Sequence, residues 1–367
     1  MSGSKDNKTR VLMSGNEAMA EAAILAGCRY YFGYPITPQN EVPAYMARRM
    51  PAVEGTFVQA ESELAAISLI YGASAAGARV MTSSSSPGVS LFQEGISYLA
   101  ASRLPCVLAN IMRGGPGLGN ISPSQSDYFQ STKGGGHGDY HIICLTPDSV
   151  QEIVDFSYEG FELTERYRVP VMLLFDGILG QMTEPVIFPK ALSPELPDRP
   201  WALGDSKGRK QNVVHSLWLK PEDAVKQNNL LLQETYKQIT ADLAGRYEEY
   251  KTEDADLVVI AYGVVSRICR TVVNKLREQG KAVGLFRPTS VWPFPTEDIR
   301  KLAGNTKGIV VTEMSAGQML EDVERAVQGK CPVEFIGEMG GATPTPEAIE
   351  EKILALYGEV QNAKSAS

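Results

Sequence analysis

Two successive α/β blocks, each a parallel sheet covered by helices, are what this 367-residue sequence predicts. Three observations predict them. Short apolar runs of strand length alternate with longer helix-like segments over residues 11–180, the alternation that lays parallel strands under crossover helices. The alternation breaks off in a stretch marked by Pro185, Pro189, Pro194, Pro197 and Pro200. It then resumes from residue 254 onward.

The elements follow in order. Asn16 suits the cap of a first helix whose apolar positions include Met19, Ala22, Ala23 and Leu25, with Gly27 at its end. Cys28–Phe32 reads as a strand, Glu61–Ala76 as a helix rich in small residues, and Ala78–Thr82 and Pro105–Ile111 as apolar strands. Val150–Tyr167 is amphipathic, and Val169–Phe175 is a continuous apolar strand ending at Asp176. Between the blocks, Pro221–Tyr250 reads as a polar helix that Leu230, Leu231, Leu232 and Tyr236 would dock. In the second block Leu257–Tyr262, Ala282–Phe286, Ile309–Thr312 and Val333–Phe335 are strands. Ser266–Gln279, Thr296–Leu302, Gln318–Gln328 and Pro346–Tyr357 are its helices. The expected organisation is a disordered tail over 1–10, a domain over 11–190, a linker with a polar helix over 191–253, a domain over 254–358 and a tail over 359–367. Ligands of open parallel sheets sit beyond the carboxyl ends of the strands. Tyr34–Pro38, Ser83–Gly88, Arg113–Gly119 and Asp176–Gly180 each follow a strand, so they should gather along one edge.

Composition excludes several classes. A formal charge of −8, from 43 acidic and 35 basic side chains, builds no basic face, so no nucleic-acid partner is expected. No apolar run approaches the roughly 20 residues that span a bilayer. Residues 1–10 hold neither an apolar signal core nor an arginine-rich transit pattern, and a cytoplasmic location is expected. Cys28, Cys106, Cys144, Cys269 and Cys331 are widely spaced, which argues against a disulfide framework, a zinc site or an iron–sulfur cluster held by this chain. Buried small apolar positions suit them better. Three histidines, His137, His141 and His215, are too scattered for a metal site.

The residues with chemical potential lie on the strand-end loops. In Tyr34-Pro35-Ile36-Thr37-Pro38, two prolines restrict the backbone around Thr37, presenting either a preorganised hydroxyl or a plain turn. Glu61 and Glu63 both stand at a helix start, where a carboxylate complements the dipole. The bulk-free helix that follows asks for something large and close, against which a buried glutamate could bond a heteroaromatic nitrogen. Ser83-Ser84-Ser85-Ser86-Pro87-Gly88 opens a helix and suits a polar ligand or a simple cap. Arg113 leaves an apolar strand into a glycine-rich loop, ready for a carboxylate or for a structural ion pair. His137, inside Gly134-Gly135-Gly136-His137-Gly138-Asp139, reads as an acid–base group or a loop hydrogen-bonder. Neither the dinucleotide fingerprint nor the Walker A loop occurs.

Together these segments resemble the α subunit of 2-oxoacid:ferredoxin oxidoreductases over nearly the whole chain. The likeness is carried by Tyr34–Pro38, Gln59-Ala60-Glu61-Ser62-Glu63, Thr82–Gly88, Met112-Arg113-Gly114-Gly115-Pro116-Gly117 and Lys133–Tyr140. Tyr34–Val42 and Gly134–Tyr140 look most like the branched-chain, 2-oxoisovalerate subtype, with the 2-oxoglutarate subtype as runner-up. The resemblance implies a thiamine-diphosphate-binding, pyrimidine-type parallel-sheet domain followed by a transketolase C-terminal-like α/β domain. Phe286-Arg287-Pro288, Trp292-Pro293-Phe294-Pro295 and Glu313-Met314-Ser315-Ala316-Gly317-Gln318 carry the second match. That domain is expected to serve assembly, with coenzyme A as a candidate contact.

By the same resemblance Glu63, placed before the helical Gly72 at the family's interval, contacts N1′ of the aminopyrimidine and is catalytic. Pro35, Ile36, Ser85 and Ser86 join Glu63 in holding the cofactor, Thr37 and Arg113 face the 2-oxoacid carboxylate, and His137 is a loop contact. No metal is expected on this chain. Gly-Asp-Gly, the motif that holds the diphosphate and Mg²⁺, is missing, and Gly204-Asp205-Ser206 is a poor substitute. A β subunit must then bind the diphosphate and Mg²⁺. The γ or ferredoxin-like δ subunits would carry the [4Fe-4S] clusters that pass electrons to ferredoxin, and coenzyme A would take the acyl group. The rival reading is a non-catalytic scaffold subunit that keeps a thiamine-type fold.

Overall fold

The computed structural model describes residues 9–192, 198–203 and 212–365. Most of the expected N-terminal tail, Pro194, Pro197 and Gly204-Asp205-Ser206 lie outside the described residues. The chain enters through β1 (Val11–Ser14) and α1 (Gly15–Leu25). Ser14 caps this helix, its hydroxyl accepting from Glu17 N at 3.4 Å, so the cap expected at Asn16 is corrected. Asn16 lies inside the first turn, fully buried, and its amide donates to Pro38 O at 2.9 Å and to Glu41 Oε2 at 2.8 Å. A buried amide must spend its donors on fixed partners, and here they lie beyond the next strand, on the loop at Pro38 and at the helix start at Glu41. Gly27 turns the chain at φ +88°, where a Cβ would be strained.

The first block continues with β2 (Tyr30–Gly33), α2 (Glu41–Arg49), β3 (Thr56–Gln59), α3 (Glu63–Ala75), β4 (Val80–Ser84) and α4 (Ser86–Ala101). Then come β5 (Val107–Met112), α5 (Tyr128–Thr132), β6 (Ile143–Leu145), α6 (Val150–Tyr167) and β7 (Val171–Asp176). Strands β6, β7, β5, β4, β2 and β3 lie parallel in that order. The central pair, β5 and β7, is buried at every residue, which is why both read as unbroken apolar runs. The sequence reading does not anticipate α2, β3 or β6: α2 has nine residues with Pro43 in its first turn, and the two strands have four and three residues, too few to show a period.

The connection between the blocks is more ordered than its prolines suggest. After α7 (Gly177–Gln181), β8 (Thr183–Val186) pairs antiparallel with β1, and Pro185 opposes Leu12 in a ribbon where a missing donor does little harm. Helix α8 (Ala224–Asp242) stops well before Tyr250, because β9 (Tyr247–Tyr250) pairs antiparallel at the edge of the second sheet. Leu232 and Tyr236 dock α8, whereas Leu230 and Leu231 stay exposed.

The second block comprises β10 (Leu257–Ile260), α9 (Gly263–Glu278), β11 (Val283–Pro288), β12 (Ser290–Trp292), α10 (Thr296–Ala303), β13 (Gly308–Glu313), α11 (Gln318–Val327), β14 (Val333–Gly337) and α12 (Pro346–Ser365). Its sheet runs β14-β13-β10-β11-β9. Helix α12 continues through residues 359–365, where a tail is expected from sequence. Strand β12 leaves this block and pairs antiparallel with β6, so it forms the edge of the first sheet. All five cysteines are buried and free, and burial pushes the Cys28 and Cys269 thiols up to about 12. No described helix is long and apolar enough to cross a membrane.

Candidate active site at the carboxyl edge of the first sheet

The strand-end loops do meet. Arg113 leaves β5 and is buried; its Nη1 donates to Thr37 O at 2.9 Å and its Nη2 to Leu118 O at 2.8 Å. No ion pair involves it among the described residues, and its Nε has no partner. A guanidinium has five N–H donors, so those left over are available to an anion. The Thr37 hydroxyl accepts from Asn40 Nδ2 at 3.3 Å, its one partner among the described residues, and stays half-buried beside it. Pro35 is exposed and Ile36 half-buried on the same turn. Gly177, after β7, abuts Pro38 so closely that a Cβ there would lie 2.9 Å from its Cγ. Below this turn Ser83 donates to Gln39 Oε1 at 2.6 Å and meets the Tyr31 hydroxyl at 2.7 Å.

Glu63 is the first residue of α3. Ser62 caps the helix by accepting from Ala65 N at 3.2 Å. Glu61 therefore lies outside the helix and is exposed, while Glu63 is 7% exposed. The Glu63 carboxylate makes no hydrogen bond or ion pair among the described residues. It presses against α4 at Gly88: a Cβ there would lie 2.4 Å from Glu63 Oε1 and 2.1 Å from Ser84 Oγ. The Ser84 and Ser85 hydroxyls are fully buried and have no partner among the described residues. Buried hydroxyls left unpaired are costly, and the Glu63 carboxylate beside Ser84 offers a ligand an acceptor. A flat ring offering a nitrogen and an amino group fits that set. Outward from Glu63, α3 exposes Leu64, Ser68, Leu69 and Gly72, and no atom of the described residues lies within 4 Å of a Cβ added at Gly72.

Ser86 is bonded on both sides. Its hydroxyl donates to Asp127 Oδ2 at 2.5 Å and accepts from Arg113 N at 3.0 Å, and its amide donates to Asn110 Oδ1 at 3.1 Å. Asp127 and Asn110 escape the sequence reading. One lies in a run of serines, the other inside an apolar strand, and neither pattern signals a site. His137 is exposed on its glycine loop, which is anchored on Gln93 through Gly135 N at 2.9 Å, farther along α4 than Gly88. No hydrogen bond joins it to Glu63 or Arg113 among the described residues.

Residues 21–257 match the family model for the thiamine-diphosphate-binding domain of pyruvate flavodoxin/ferredoxin oxidoreductase. Residues 255–349 match core domain II of pyruvate:ferredoxin oxidoreductase. The ketoisovalerate oxidoreductase subunit VorB of Methanothermobacter marburgensis is 48% identical over 95% of this chain and 98% of its own length. The 2-oxoglutarate synthase subunit KorA of Methanothermobacter thermautotrophicus is 37% identical over 94% of this chain and 98% of its own. A 2-oxoglutarate:ferredoxin oxidoreductase from Magnetococcus marinus, solved with 2-oxoglutarate, coenzyme A and succinyl-CoA bound, is similar with a TM-score of 0.82 and 27% identity. The match covers 96% of this chain and 66% of that one. A split-gene transketolase shares the fold, with a TM-score of 0.60 at 13% identity. Fold and site together define a thiamine-diphosphate-type α/β protein. More particularly, the chain belongs to the 2-oxoacid:ferredoxin oxidoreductase family, and the resemblance read from its motifs is borne out.

Proposed function

We propose that this chain supplies the pyrimidine half of a thiamine diphosphate site in a branched-chain 2-oxoacid:ferredoxin oxidoreductase. The observation that carries the proposal is Glu63, a residue only 7% exposed whose carboxylate abuts Gly88 and has no hydrogen-bond or ion-pair partner among the described residues. The likeness to VorB, at 48% identity against 37% for KorA, supports 2-oxoisovalerate over 2-oxoglutarate as substrate. The overall conversion joins the 2-oxoacid and coenzyme A to give acyl-CoA, CO₂ and a proton, with one electron going to each of two ferredoxins.

When bound, thiamine diphosphate supplies the carbon nucleophile and the electron sink for decarboxylation. Glu63 hydrogen-bonds the ring nitrogen of the pyrimidine and exchanges a proton with it, which is general acid–base work. Ser84 and Ser85 line the pocket wall beside it, with Pro35 and Ile36 at the turn opposite. The unspent donors of Arg113 and the Thr37 hydroxyl orient the substrate carboxylate. The bare face of α3 supports a close-fitting β subunit, which would bring the diphosphate and Mg²⁺. Clusters of the [4Fe-4S] type on γ or δ subunits would take the electrons onward.

In the assembled complex, Glu63→Gln should lower turnover by about 10²–10⁴-fold, the usual worth of a general acid–base group, while the subunits still co-purify. Near-wild-type turnover would remove Glu63 from this role. A panel of 2-oxoisovalerate, pyruvate, 2-oxoglutarate and indolepyruvate, with a viologen dye as acceptor, tests the substrate. Highest kcat/KM on any acid but the first would overturn the branched-chain assignment.

A further inference from the structure

We infer that Asp127 is a positioning residue for this site, joining its cofactor-facing and substrate-facing halves through Ser86. The inference rests on the function proposed above. Asp127 precedes α5 and accepts at the single atom Oδ2 from Ser86 Oγ at 2.5 Å and from Asn110 Nδ2 at 3.0 Å. Asn110 returns the link by accepting from Ser86 N at 3.1 Å, so the three residues close a ring. Two connections leave that ring. Ser86 begins α4, and two residues later Gly88 meets the Glu63 carboxylate. Ser86 Oγ also accepts from Arg113 N at 3.0 Å, which sets where the Arg113 loop leaves β5.

A serine hydroxyl has one proton. Asp127 takes it, which fixes the rotation of the hydroxyl and turns one of its two Oγ lone pairs toward Arg113 N. Without the carboxylate, Arg113 O, 3.2 Å away, is an acceptor within reach. The hydroxyl would then turn toward that carbonyl, and the Arg113 backbone would lose its fixed acceptor. Among the described residues no lysine or arginine pairs with Asp127, so neutral hydrogen bonds alone hold its charge. Burial also holds the Asp127 carboxyl above the usual carboxylate range, against which those two bonds act.

The test compares wild type, Asp127→Ala, Ser86→Ala, the double variant and Asp127→Asn in the assembled complex. Each alanine variant should raise KM for the 2-oxoacid about tenfold, the scale of one lost hydrogen bond, with a smaller fall in kcat. The double variant should be no worse than the worse single, since both cut one chain. Asp127→Asn keeps an acceptor oxygen for Ser86 and Asn110, and should bring KM back to within about threefold of wild type. An unchanged KM, with activity falling only as folded complex is lost, overturns the inference, as does additivity in the double variant. If Asp127→Ala fails to assemble, Ser86→Ala and Asp127→Asn decide by the same criteria. An active Glu63→Gln complex would sink the functional reading itself. An inactive one, with KM unmoved at position 127, would sink only the positioning role.

Discussion

At the scale of single residues, the position of Glu63 depends on the missing side chain of Gly88. A methyl group there would meet two side-chain ends, Ser84 Oγ and Glu63 Oε1, which can move aside at little cost to the fold. Gly88→Ala should therefore leave the complex assembled while displacing the carboxylate. A displacement near 1 Å can cost about 10²-fold in rate, and steady-state turnover alongside co-purification measures it. Full activity would mean that the carboxylate works from some other position. Thr37 and Arg113 stand out in the sequence because their chemistry follows strands, and Glu63 because it opens a helix poor in side-chain bulk. The choice of Glu63 over Glu61 rests on the family interval; the cap at Ser62 leaves Glu61 outside the helix and puts Glu63 in its first turn. Gly88 as a contact and Asp127 as a neighbour are not legible, since each depends on an element distant in sequence.

Among the elements, serine starts recur as a device. Ser14, Ser62 and Ser149 cap α1, α3 and α6 in the same way, each hydroxyl accepting an amide of the first turn. In α3 the cap also fixes where the helix begins and so aims Glu63, whose charge suits that end of the dipole. Ser62→Ala should cost about 1 kcal/mol, and Ser62→Gly only a few tenths. The check is a lower denaturant midpoint for the alanine variant at unchanged slope. Equal midpoints for alanine and wild type would remove the capping role. Strong periods locate α6, α9 and β7 well from sequence, since a long apolar face or run leaves a repeated signal. Ends and short pieces are located poorly. Strand β9 falls inside the helix that the sequence predicts over Pro221–Tyr250, because four residues carry no helical or strand period of their own.

Over the whole molecule, the two blocks are joined by shared structure. Strand β12 extends the first sheet, and the buried Arg287 of β11 bonds Glu152 of α6 at 2.7 and 2.8 Å and Glu248 of β9 at 3.1 Å. Asp176 sits at the same junction. Its Oδ1 accepts from Ile178 N at 2.8 Å, and its Oδ2 lies near Gly263 at the start of α9. Complete burial pushes its carboxyl up to about 6, against roughly 3.9 unfolded. The folded chain thus binds this proton more tightly than the unfolded chain. The stabilisation is complete below the unfolded value and is lost as pH rises to about 6. Asp176→Asn keeps the cap without the charge. It should therefore melt higher than wild type at pH 7.5, and the difference should shrink at pH 5. A difference that does not change between the two would show that Asp176 titrates normally.

The sequence by itself determined the class of fold, the alternation of its two blocks, the family, the strand-end loops that hold Thr37 and Arg113, and the helix start at Glu63. These follow from periodicity and local motifs, which are written along the chain. Tertiary structure alone decided that β12 crosses to the other sheet, that Asn16 serves a loop instead of a helix end, and that Asp127 stands behind Arg113. Each of those rests on a buried polar group finding its partner across space, and the order of residues does not encode which partner comes within hydrogen-bond reach.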